Sequence, residues 1–136
     1  MSSRQKPLRF ILVGILNTGI DFVVLFALTK AGMDLIFANM ISTSCALALS
    51  FFVNRSFTFG ASGNTYIQGA KFMLVTLTAL WVLQPVILLL LTGALAPLTG
   101  ADLSLLGAKV VATIASMIWN YLFYDRYVFK TRKASS

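Results

Sequence analysis

The chain has 136 residues, 58% of them hydrophobic and 11% charged, and a formal net charge of +7. A soluble domain carries charge on roughly a quarter of its residues, so this composition excludes an ordinary soluble fold. The basic residues cluster at the ends of apolar runs and between them, which is the pattern of a membrane surface and not of a nucleic-acid-binding face.

Four windows are long and apolar enough to cross a bilayer, which takes about 20 residues. They are residues 10–29, 35–53, 72–96 and 105–124. The first follows Arg4, Lys6 and Arg9. It is too long for a signal-peptide core and no A-x-A-like site follows it, so it reads as a span that stays. A tight turn with Gly32 joins it to the second window. The loop from Asn54 to Lys71 is polar and glycine-bearing, GASGNTYIQG at residues 60–69. The third window holds Pro85, which removes a backbone hydrogen bond and predicts a kink. A loop over residues 97–104, with Gly100 and Asp102, leads to the fourth window. The fold class expected is therefore an all-α membrane protein of four transmembrane helices in one domain.

Charge sets the orientation. Arg4, Lys6, Arg9, Arg55, Lys71, Arg126, Lys130, Arg132 and Lys133 lie on one side, against Lys30 and Lys109 on the other. The positive-inside rule puts both termini in the cytoplasm. Each half is then a hairpin that enters from the cytoplasm and returns to it. RFILV at residues 9–13 and KFMLV at residues 71–75 open the two halves; SFFVNRSFTF (50–59) and NYLFYDRYVF (120–129) close them. The two halves point the same way, so this is a parallel and not an inverted duplication.

The duplicated helix carries a polar face. Asn39, Thr43, Ala46 and Ser50 align with Lys109, Thr113, Ser116 and Asn120, both sets at i, i+4, i+7, i+11. For Asn17, Asn39, Thr43, Ser50, Thr113, Ser116 and Asn120, hydrogen bonding between helices is the ordinary role of such residues in a bilayer. Asp21 lies eleven residues past Phe10, roughly 16 Å deep and near the midplane. An ionisable group there is costly, so it is a candidate proton or cation site, a counter-charge to Lys109, or a hydrogen-bonded carboxyl that fixes packing. Gly14, Asn17 and Thr18 share its face. Lys109 either snorkels to the outer interface or offers a cation to a phosphate. Arg55 and Arg126 meet the cytoplasmic headgroups, where guanidinium binds lipid phosphate bidentately or simply anchors the span. Phe51, Phe52, Phe57, Phe59, Tyr121, Tyr124, Tyr127 and Phe129 form an aromatic belt beside them.

Nothing in the sequence assembles catalysis. With no histidine, the commonest general base and metal ligand is missing, and the lone Cys45 has no cysteine to pair with. Four acids, none adjacent in sequence, give no nucleotide-sugar site, and neither a glycine-rich phosphate loop nor a metal-ligand set is present. The expectation is a non-enzyme without cofactor or metal.

RFILVGILNTGIDFVVLFAL in the first window, with SFFVNRSFTF and NYLFYDRYVF closing the second and fourth, resembles the GtrA-like family. These are small bacterial four-span proteins of cell-surface polysaccharide synthesis, and the resemblance covers about residues 9–129. Arg9, Gly14, Asn17 and Asp21 match its first-span motif; Asn54, Arg55 and Phe59 match the second-span ending; Asn120 and Phe129 match the fourth. The resemblance implies a multi-pass protein of the bacterial cytoplasmic membrane that moves a polyprenyl-phosphate-linked sugar, beside a membrane glycosyltransferase. One departure stands out: in ungapped register Arg55 falls on Asp125, and the arginine arrives one place later as Arg126.

Three functions remain in view. A flippase would pass the sugar headgroup along the polar faces while the prenyl chain stays in membrane lipid. Arg55 or Arg126 would hold the phosphate inside, Lys109 nearer the outside, and Asp21 would tune Lys109 or couple to protons. Four helices can hardly enclose such a path and also change shape, so a homo-oligomer, most simply a dimer, is expected. The second function is a non-transporting partner or anchor of the glycosyltransferase. The third is a small proton-coupled exporter of organic cations built on Asp21; the basic rim suits an anion better.

Overall fold

The computed structural model describes residues 4–130; Arg132 and Lys133, counted above for orientation, lie outside them. Among the described residues the structure is helical and has no strand. The chain divides into two compact units, one ending at Ser62 and one beginning at Gly63.

The first unit is a hairpin of α1 (Gln5–Lys30) and α2 (Leu35–Val53), packed along their length. The turn between them follows from three residues. Gly32 takes φ +91°, the left-handed conformation that glycine adopts without strain. The Gly32 and Met33 N–H groups donate to the Thr29 and Leu28 carbonyls and so satisfy the end of α1. Asp34 then caps α2, its Oδ2 accepting from the N–H of Ile36 at 3.0 Å.

At Asn54 the helix continues but changes pitch. Residues Asn54–Thr58 form a π-helical turn, sealed by the Phe59 N–H donating to the Asn54 carbonyl at 2.9 Å. The polar loop is therefore much shorter than the sequence suggests. Asn64 already caps α3 (Thr65–Thr78), accepting from the Tyr66 and Ile67 N–H groups at 2.9 and 3.1 Å.

In the second unit α3 runs through a π-helical turn, Ala79–Leu83, into α4 (Gln84–Thr99). This turn is the local answer to Pro85. The chain inserts the wider turn just before the proline, and the Gln84 N–H bonds back to the Ala79 carbonyl. The resulting continuous helix, Thr65–Thr99, has 35 residues. At 1.5 Å per residue that is about 50 Å, well beyond a hydrocarbon core of about 30 Å. Its first turns, with Gln68 and Lys71, thus extend past the apolar window.

The loop expected over residues 97–104 is not formed. Pro97 sits in the last turn of α4, where its missing donor deprives only the Gly93 carbonyl, four residues earlier, of its usual partner. Gly100 alone, at φ +85°, reverses the chain into α5 (Ala101–Phe123). A second π-helical turn at an exit, Tyr124–Val128, ends the unit, with the Phe129 N–H donating to the Tyr124 carbonyl at 2.8 Å.

Helix packing uses small residues. In α2 the buried stripe is Ala38, Ser42 and Ala46; in α5 it is Ser104, Ala108, Ala112 and Ser116. Spacing of four places these on one ridge, and small side chains let backbones approach. The large apolar side chains point outward instead: Leu16, Val23, Phe26, Ile36, Leu89 and Leu90 are all well exposed. That reversal suits a hydrocarbon solvent, and four helices are long and apolar enough to cross a membrane.

Candidate functional site

The two units place equivalent residues in equivalent settings. Ala38 and Ala108, Ser42 and Ala112, Ala46 and Ser116, Asn54 and Tyr124, Thr58 and Val128, and Phe59 and Phe129 are all buried. Within the first unit the rings of Phe10 and Phe59 are 6.5 Å apart; within the second, Phe72 and Phe129 are 6.4 Å apart. The differences between the units therefore sit on a shared framework, and they concentrate in polar residues.

The first unit carries its polar groups on both helices. Asp21 is half-buried, and its Oδ1 accepts a long hydrogen bond, 3.5 Å, from Thr43 Oγ1 across the hairpin. Asn17, one helical turn before Asp21, is also half-buried, and its Oδ1 is shielded from solvent with no hydrogen-bond partner among the described residues. Such an atom costs about 1–3 kcal/mol relative to a satisfied one. Ser50, Asn54 and Thr58 form a closed ladder: Asn54 Nδ2 donates to Ser50 Oγ at 3.1 Å, and Thr58 Oγ1 donates to Asn54 Oδ1 at 2.9 Å.

The expected polar face is not uniform. The packed ridge is Ala38–Ser42–Ala46, one residue away from Asn39 and Thr43, so Asn39 stays exposed. In the second unit Lys109 and Thr113 are exposed, while Ser116 is buried and Asn120 half-buried. Thr113 spends its hydroxyl on the Lys109 carbonyl, 2.8 Å away within its own helix. The seam expected of Asn39, Thr43 and Ser50 thus splits into an exposed part and a part already bonded within the unit.

The second unit adds a cluster that sequence reasoning missed in part. Ser116 Oγ, Trp119 Nε1 and Asn120 Oδ1 are shielded from solvent and have no partner among the described residues. Spacing of i, i+3, i+4 puts all three on one face of α5. Trp119 gives no polar signal in the sequence because indole counts as apolar in a span; its single N–H donor stands out only against the first unit, where Leu49 holds the same register.

The basic end of the first unit is built by Arg9. Its guanidinium donates to the Phe57 carbonyl at 2.9 Å and lies over the Phe57 ring, 4.7 Å from the centroid. This ties the start of α1 to the exit turn that carries Arg55. Arg9→Lys loses the planar fork and much of the ring contact, so a loss of about 1 kcal/mol is expected in chemical unfolding of the purified protein. An unchanged unfolding midpoint would refute the clamp.

The two arginines near the span ends are not equivalent. Asn54–Thr58 and Tyr124–Val128 are both ordered π-helical turns in the same register, so no frayed end absorbs the one-residue shift. Arg126 takes the place of Ser56, not that of Arg55, and Asp125 takes that of Arg55. Arg55 is half-buried and Arg126 exposed. The described residues include no group of three or more His, Cys, Asp or Glu side chains that could hold a metal.

Chemically, then, the chain offers polar groups inside apolar helices and cations at helix ends, as a multi-pass membrane protein. Comparison with curated proteins yields no match. The family model for the GtrA/DPMS transmembrane domain matches residues 9–129, nearly the whole chain, and the chain belongs to that family.

Proposed function

We propose that this protein moves the headgroup of a polyprenyl-phosphate-linked sugar across the bacterial cytoplasmic membrane. The family is one of membrane proteins in polysaccharide and glycosylation pathways. The observation that carries the finer reading is the set of shielded polar atoms without partners among the described residues, Asn17 Oδ1, Ser116 Oγ, Trp119 Nε1 and Asn120 Oδ1, in predominantly apolar helices. In hydrocarbon such atoms are retained at a cost, which points to use. A prenyl chain needs no protein path; a phosphodiester and a sugar do. Polar groups along the spans and cations at their ends are the two things that such a headgroup requires.

In this reading both termini face the cytoplasm and the halves act as parallel repeats. Arg55, with Arg126, receives the phosphate at the cytoplasmic end, where guanidinium bonds phosphate through two parallel N–H groups. Lys109 meets it nearer the outer side. Asn17, Asp21 and Thr43 offer polar groups to the headgroup in the first unit, and Ser116 and Asn120 do so in the second. The test is translocation of a labelled polyprenyl-phosphate sugar in vesicles holding the purified protein. Arg55→Ala and Lys109→Ala are each expected to slow headgroup transfer by about tenfold, the equivalent of losing one charge-assisted contact of about 1.4 kcal/mol. Wild-type rates in both variants would sink these roles.

A specific observation favours a second reading. Asn39 and Lys109 lie on the exposed surface of spanning helices, where lipid leaves polar side chains poorly served. A protein partner would cover them. This is the ground for a homodimer, or for a non-transporting complex with a membrane glycosyltransferase. Pure protein that moves no lipid yet co-purifies with a transferase would favour the latter.

A further inference from the structure

We propose that Ser116, Trp119 and Asn120 form a subsite for the sugar hydroxyls, distinct from the cations that meet the phosphate. The inference rests on the translocation reading and assigns part of its substrate to one face of one helix.

The argument starts from what the same positions do in the first unit. Ser116, Trp119 and Asn120 share their register with Ala46, Leu49 and Ser50. Ala46 and Leu49 carry no polar side-chain atom. Ser50 accepts from Asn54 at 3.1 Å. The framework is therefore built in the first unit with this face apolar or satisfied, and helix packing does not require polar groups there. In the second unit all three positions become more polar, and the partner is withdrawn. Tyr124 replaces Asn54, and its hydroxyl lies 2.5 Å from Thr76 Oγ1 on α3. Thr76 Oγ1 already donates to the Phe72 carbonyl at 2.8 Å, so the Tyr124 hydroxyl is the donor to Thr76. Val128 replaces Thr58 and offers nothing. Asn120 Oδ1, Ser116 Oγ and Trp119 Nε1 are left without partners together.

The chemistry of the three groups selects the ligand. Indole N–H only donates, a serine hydroxyl donates and accepts, and an amide presents one donor end and one acceptor end. None is charged. A phosphate is an anion that only accepts, and it is matched better by Arg55 or Lys109. A sugar hydroxyl donates and accepts at once, so a mixed neutral set is its complement. Trp119 is also held in place: its ring lies 4.3 Å from that of Phe123, which stacks 5.4 Å from Tyr127. A fixed donor discriminates better than a mobile one.

The three polar atoms are shielded from solvent in this conformation. α5 packs against α4 and against the Ala79–Leu83 turn. That π-helical turn, which ends two residues before Pro85, is a widened point in the helix that packs on α5.

The protein holds two tryptophans, so Trp81→Phe leaves Trp119 as the sole indole. In vesicles containing that chain, Trp119 emission is followed while polyprenyl phosphate carrying glucose, galactose or mannose is added, and again with polyprenyl phosphate lacking sugar. At least one glycosylated lipid is expected to shift the emission, and the bare lipid is not. Ser116→Ala and Asn120→Ser install the residues that the first unit already folds with, and each is expected to weaken the sugar-lipid signal by about tenfold. An equal response to the bare lipid, silence with all three sugars, or full affinity in both variants overturns the subsite. Translocation in the same vesicles separates the two readings. A sugar-selective signal with lipid movement at the protein-free rate defeats the transport proposal alone, while normal movement without the signal defeats the subsite alone.

Discussion

Alanine at position 72 is expected to destabilise the protein by about 3 kcal/mol, against about 1 kcal/mol for alanine at position 10, although the two phenylalanines occupy the same register. The difference lies in what surrounds them. Phe72 is 2% exposed, and its ring stacks on Tyr124 at 4.7 Å with Phe129 at 6.4 Å. Tyr124 and Phe129 meet edge-on at 6.0 Å, so three rings close one cluster between α3 and the second exit turn. Thr76, in the next turn of α3, adds its hydroxyl to that of Tyr124 at 2.5 Å. Phe10 is half-buried and approaches Phe59 at 6.5 Å, while Gly14 and Asn54 take the places of Thr76 and Tyr124. Removing Phe72 therefore opens a cavity in an interlocked cluster, and removing Phe10 opens a site that lipid or water refills. Chemical unfolding of the two variants in detergent checks this. Equal losses would mean that the second unit is not held at this point.

Much of the architecture is legible because a bilayer enforces it. Runs such as residues 35–53 have no soluble alternative, and Gly32 followed by Asp34 spells a helix stop and a helix start in three positions. The loops misled for a physical reason. Polarity at residues 54–71 and 97–104 signals the end of the apolar window, and a helix need not stop where the membrane does. α3 begins at Thr65, ahead of that window, and α4 runs on to Thr99. The π-helical turns left no mark in hydrophobic periodicity, since each inserts wider geometry without changing residue type. Pro85 is the exception, and even there the sequence announces a disturbance without its form. The site was readable to the level of residue class. Asn17, Ser116 and Asn120 stand out as polar residues in spans, but whether each has a partner depends on atoms in another helix. Ser50 and Asn120 look alike in the sequence; Asn54 satisfies one, and at the corresponding place beside the other Tyr124 bonds its hydroxyl to Thr76.

The ladder that satisfies Ser50 is expected to be the most costly polar element to break. Asn54 is 2% exposed and Thr58 is fully buried. Asn54 Oδ1 accepts from Thr58 Oγ1 at 2.9 Å, and Asn54 Nδ2 donates to Ser50 at 3.1 Å. Leucine keeps the branched four-atom skeleton of the asparagine side chain and none of its hydrogen bonds. Asn54→Leu therefore leaves the Thr58 hydroxyl buried and unpaired and frees Ser50, with an expected loss of about 3 kcal/mol. Most of that loss is the penalty of the stranded hydroxyl, not the worth of the bond. Thr58→Val in the same chain removes the stranded group, and valine is the residue that the second unit buries at this register, as Val128. The double variant should thus recover about half of the loss or more, which makes the pair a double-mutant cycle with a sign fixed in advance. If Asn54→Leu unfolds at the wild-type midpoint, or the double variant is no better than the single, the ladder does not hold the turn. Because Arg55 follows Asn54 directly in that turn, the same cycle read by lipid translocation separates holding the arginine in place from folding. A double variant restored in stability but slow in transfer would show that the ladder sets the position of Arg55, the residue proposed to receive the phosphate.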